Sequence, residues 1–168
     1  RALQKLLDKE NLFLLRYSPE KAHDYEVTGP SKDYKQDSEL YRDLVEIWQR
    51  SSLLIQQIST ENRIQYFHFL QPNQYVPASK KLTEEERRKA YQENHPYQEG
   101  VEKGYPYLIA AGRDLLQKGV RFYDLTGVFS DHTESLYRDA CCHVNEKGVQ
   151  ILGAVMGQAM VRDYAYEN

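Results

Sequence analysis

An acid and an imidazole stand four positions apart in the segment Leu136-Tyr-Arg-Asp-Ala-Cys-Cys-His-Val-Asn-Glu-Lys-Gly148. Asp139 and His143 therefore share one short loop, after a predicted strand and just before a predicted helix. A carboxylate beside an imidazole is the orienting half of an acyl-transfer triad, because the acid fixes the ring tautomer and stabilises the imidazolium that forms. A triad also needs a nucleophile, and no obvious one accompanies the pair. Ser51 and Ser52 fall inside a predicted helix. Ser130 and Ser135 lie close to His143 in sequence, but no elbow-like glycine pattern surrounds them. Cys141 and Cys142 adjoin the histidine, yet neighbouring residues rarely aim their side chains at one another, and buried free cysteine is a common core residue. A bond between neighbours is strained, so the two are read as free thiols.

The remaining polar candidates have plain structural readings. His68 sits in an aromatic run and reads as a hydrogen-bonded core residue. His23, His95 and His132 show no metal-ligand spacing. Gln71, Asn73, Gln74 and Tyr75 suit the lining of a sugar or acyl pocket, and a simple strand-end turn accounts for them equally well. The run Glu84 to Lys89 reads as a solvated helix face.

These residues must be positioned by the surrounding elements. Arg1–Asp8 is read as a helix end and Asn11–Tyr17 as a short strand, followed by an irregular connection from Ser18 to Gln36. Asp37 or Ser38 caps a helix in which Leu40, Leu44, Ile47, Trp48, Leu54, Ile55 and Ile58 recur at helical spacing and predict one buried face. Arg63–Leu70 reads as a buried strand stopped at Gln71-Pro72-Asn73. Thr83-Glu-Glu-Glu86 is a capping box opening a charged helix to about Gln92. His95-Pro96 breaks that helix, and another runs from Tyr97 to Lys118, with Gly119 as its stop signal. Val120–Leu125 is a second strand, and a last helix starts near Asn145, where Gly153 and Gly157 are expected to allow close approach to a sheet. This alternation predicts an α/β domain over residues 1–168, a parallel sheet flanked by helices. Functional groups in such sheets collect beyond the carboxyl ends of the strands, so the 71–73 turn and the 139–143 loop are expected on one rim.

With 168 residues, a net charge of −3 and 40% hydrophobic residues, the chain suits one domain with a real core. The near-neutral balance and the lack of a Lys/Arg stripe argue against nucleic acid as a partner. No apolar run has the length of a membrane-spanning helix. The chain opens on Arg1 rather than Met, as expected of a processed, cloned or excised piece of a longer protein.

The blocks Phe122-Tyr-Asp-Leu-Thr-Gly-Val-Phe129, Leu136-Tyr-Arg-Asp139 and His143-Val-Asn-Glu-Lys-Gly148 together resemble the C-terminal block of SGNH (GDSL-type) hydrolases. Trp48-Gln-Arg-Ser-Ser52 and Tyr66-Phe-His-Phe-Leu-Gln-Pro-Asn-Gln-Tyr75 look like the helix and central strand of bacterial SGNH-like proteins. The resemblance covers about Asp37 to Val161. It implies a three-layer, flavodoxin-like sandwich, incomplete at its N-terminus, and hydrolysis of a carbohydrate O-acyl or other small acyl ester. It further implies that His143 is the general base and Asp139 its orienting acid, with no metal or organic cofactor. Two departures stand out. Three residues rather than two separate acid and histidine, and the family's Gly-Asp-Ser nucleophile block is absent, so the nucleophile is expected upstream and the chain alone is expected to be inactive. The alternative is a non-catalytic SGNH-like domain that binds a glycan or a protein.

Overall fold

The computed structural model describes residues 32–166. The helix and strand expected within residues 1–17 lie outside them. Ser38 and the residues that follow make up one compact unit. Its elements are α1 (Asp37–Glu61), β1 (Phe67–Leu70), α2 (Glu84–Lys89), α3 (Pro96–Gln117), β2 (Arg121–Asp124) and α4 (Glu146–Tyr166). Among the described residues the fold is mixed α/β, with four helices and a two-stranded sheet. β1 and β2 pair in parallel, Phe67 opposite Arg121 through Leu70 opposite Asp124.

Local chemistry accounts for the boundaries. Thr83 Oγ1 accepts from the Glu86 N–H, while Glu86 Oε2 accepts from the Thr83 N–H, which is the expected capping box of α2. His95 caps α3, its Nδ1 accepting from the Tyr97 N–H. α3 stops before Gly119, whose φ of +85° is a left-handed conformation that glycine adopts without a Cβ penalty.

The core is built where α3 covers the strands. Leu70, Tyr75, Val101, Leu115, Val120 and Phe122 form its centre, with Trp48 packed against it. A second cluster joins Ala90, Phe129, Leu136 and Tyr137, with Val144 and Leu152 at its edge. Close helix–sheet approach falls at Gly112 of α3, where an added Cβ would lie 2.1 Å from the Phe122 ring. Gly153 and Gly157 were the expected sites of that approach. Both instead face open space.

The apolar stripe of α1 also departs from expectation. Leu44, Ile47, Leu54, Ile55 and Ile58 are all at least 46% exposed, whereas Ser52 and Ser59 are buried. A two-stranded sheet covers only a narrow strip of a helix, and the strip it covers here runs through Trp48, which packs on His68 and Phe122, and Ser52, which bonds His68. Gln49 Nε2 fastens this side to the Ala111 carbonyl of α3 at 3.1 Å. Among the described residues, no helix is long and apolar enough to cross a membrane.

Candidate active site

The loop between Leu136 and Glu146 is closed at its base. Tyr137 and Val144 form an antiparallel bridge. The Arg138 N–H donates to the His143 carbonyl at 3.0 Å, and the Asn145 N–H donates to the Leu136 carbonyl at 2.7 Å. Asn145 also caps α4, accepting from the Gly148 N–H at 3.0 Å. Residues 138–143 must therefore turn tightly, and Cys142 makes the turn with a φ of +128°. That region is sparsely populated by any residue but glycine, and holding it costs on the order of 1–3 kcal/mol.

The turn brings Asp139 onto His143. His143 Nδ1 lies 2.8 Å from Asp139 Oδ2, while Asp139 Oδ1 accepts from the backbone N–H groups of Cys141 at 3.0 Å and His143 at 3.3 Å. The three-residue spacing thus closes the pair rather than displacing it. Burial tends to raise the Asp139 pKa, but the hydrogen bonds from His143 and the two amides outweigh it and hold the carboxyl below its ordinary range. An ionised Asp139 accepts from Nδ1–H, which leaves the Nε2 lone pair as the basic position of the ring. Nε2 makes no hydrogen bond within the described residues, and the side chain is 59% exposed. The acid and base are therefore open to a reacting group from outside.

The turn past β1 meets the 139–143 loop, although that loop begins fifteen residues beyond the end of β2 rather than at it. Gln74, just past β1, donates from Nε2 to the Asp139 carbonyl at 3.0 Å and to the Ala90 carbonyl at 2.8 Å. Gln71 Nε2 lies 3.7 Å from Cys142 Sγ, and the Tyr105 hydroxyl donates to the Gln71 carbonyl at 3.3 Å. A cleft of about 410 Å³ opens on the cysteine side of this loop, lined by Asn73, Tyr97, Val101, Tyr105, Cys141 and Cys142 and by neither Asp139 nor His143. Asn73 is buried, and its Oδ1 is engaged by the Tyr75 N–H at 3.0 Å.

A buried carboxylate holds the loop from below. Glu86 belongs to a charge run whose composition predicts a solvated helix face, but it is fully buried. Its Oε1 accepts from the N–H groups of Leu136 at 2.8 Å and Tyr137 at 3.0 Å, and its Oε2 meets Lys80 Nζ at 2.8 Å. Burial works to raise its pKa, yet Lys80 and the three backbone donors outweigh that and bring it down to about 2. The capping-box spacing was visible in sequence; the use of the second carboxylate oxygen, some fifty residues along the chain, had no local signal.

The serines separate clearly. Ser135 Oγ is paired with Thr83 Oγ1 at 2.7 Å. Ser52 Oγ bonds His68 Nδ1 at 2.7 Å on the inward side of α1, the serine buried and the histidine half-buried, and burial lowers the His68 pKa. Among the described residues no hydroxyl bonds His143, and no group of three or more His, Cys, Asp or Glu side chains could hold a metal ion. Compared with known proteins, the chain matches no family model, no curated protein and no solved structure.

Proposed function

We propose that this chain carries the acid–base half of an SGNH-like serine ester hydrolase acting on a carbohydrate O-acyl group or a similar acyl ester. The 2.8 Å contact between His143 Nδ1 and Asp139 Oδ2, with the histidine side chain 59% exposed and Nε2 unbonded among the described residues, is the observation that carries this reading. His143 Nε2 takes the proton of a serine hydroxyl as that oxygen attacks the ester carbonyl, then gives it to the departing alkoxide. Asp139 holds the ring in the tautomer that exposes Nε2 and stabilises the imidazolium between those steps. On this reading the serine, its oxyanion donors and the further strands of a three-layer sandwich are not among the described residues.

The assay uses aryl acetates. The 168-residue chain alone should not turn them over, whereas joining the natural upstream sequence should give turnover that falls by several orders of magnitude with His143→Ala. Turnover of the extended protein that is indifferent to His143→Ala sinks the hydrolase reading. A second reading, a non-catalytic domain that binds a glycan or protein, is favoured by the lack of any hydroxyl on His143 among the described residues. It predicts an upstream sequence without Gly-Asp-Ser and a rate at background.

A further inference from the structure

The two cysteines have a geometry that the site reading above does not use. Successive side chains of an extended chain point to opposite faces. At Cys142 the positive φ turns the backbone back, and the sulfurs of Cys141 and Cys142 lie only 4.0 Å apart. Both thiols are free and partly exposed, and both line the same cleft.

A direct bond between them is poorly served. Across a trans peptide, neighbouring Cα atoms are about 3.8 Å apart, less than the roughly 4.4–6.8 Å that disulfides span. One bridging atom is served well. Two sulfurs bound at about 2.3 Å to one centre lie roughly 3.8 Å from each other at a tetrahedral angle and roughly 3.4 Å at the narrower angle of a pyramidal three-coordinate centre. The separation already present is close to that bite. No third side chain completes a metal shell among the described residues, so the centre must need only two thiolates and bring its own remaining substituent. The cleft next to the sulfurs has walls from Tyr97, Val101 and Tyr105 that suit an apolar or aromatic substituent.

We propose that Cys141 and Cys142 form a chelating dithiol site for a soft, thiophilic centre with two replaceable ligands, of which a trivalent aryl arsenical is the model. In the reaction with an aryl arsenoxide hydrate, two S–H bonds and two As–OH bonds break. Two As–S bonds form and two waters leave, with no change of oxidation state. The proposal does not depend on esterase chemistry, and its test needs no turnover.

The probe is phenylarsine oxide, added to the reduced 168-residue chain and followed by intact mass and by counting maleimide-reactive thiols. The expected result is one adduct per chain, loss of both reactive thiols, resistance to excess monothiol and release by a dithiol. Cys141→Ser and Cys142→Ser should each give an adduct that a monothiol strips; if the second variant fails to fold, the first carries the test. Because the sulfurs are preorganised, the folded chain should hold the arsenical at least about tenfold more tightly than the same chain in urea. Equal affinity in urea, an adduct on one thiol only, or removal by monothiol from the wild-type chain would each overturn the site.

Discussion

Lys80 and Glu86 form an ion pair at 2.8 Å in which neither side chain is exposed, and the same carboxylate grips the backbone that leads into the Asp139–His143 loop. A buried pair tolerates the loss of one partner badly, because the other is left charged and unsolvated. Glu86→Gln should therefore destabilise the chain by about 3–5 kcal/mol, read from urea midpoints. Glu86 also fixes an acid limit. Its folded pKa of about 2 lies below the ordinary 4.5, so its stabilisation is present above pH 4.5 and is lost as pH falls from 4.5 toward 2. That linkage amounts to on the order of 3 kcal/mol. Unfolding free energy that does not fall across that window in the wild-type chain contradicts this account.

Gln74 ties the strand end to the candidate acid. Replacing it with leucine leaves the Ala90 and Asp139 carbonyls without their side-chain donor, a loss of about 1–3 kcal/mol. Amide exchange at Cys141 and His143, whose N–H groups bond Asp139 Oδ1, should accelerate more than exchange in α3. Uniform acceleration throughout the unit would mean that Gln74 has no special hold on the loop.

His68 adds a second pH dependence near neutrality. Burial lowers its pKa from 6.5, so the unfolded chain binds the proton first as pH falls. Stability from the neutral ring is complete above pH 6.5 and declines below it. Ser52→Ala removes its 2.7 Å partner and should cost about 1 kcal/mol. A ring titration by NMR at or above the ordinary histidine value is the outcome that excludes this.

The glycines give a paired test. Gly112→Ala drives a methyl into the Phe122 ring and should cost about 1–3 kcal/mol. Gly153→Ala meets nothing within 4 Å inside α4 and should stabilise by about 0.5–1 kcal/mol. Melting temperatures that move the same way in both variants would show that the helix–sheet contact at Gly112 is wrong.

What the sequence determined by itself was local. Thr83 and Glu86 cap α2 because the two ends of a capping box lie three residues apart, and Gly119 ends α3 because only the following residue's φ is at issue. Asp139 and His143 were legible for the same reason: four positions of chain in a closed turn leave them little room to separate. Tertiary structure decided what is buried. The periodic Leu and Ile residues of α1 resemble a core stripe, yet Ser52 faces inward, because periodicity reports that one side of a helix differs without saying which strip the sheet covers. The carboxylates of Glu85 and Glu86 are identical in sequence terms. Only the arrival of Lys80 and the Leu136–Tyr137 backbone makes one exposed and the other a buried anchor, since burial is set by what the rest of the chain brings to a residue.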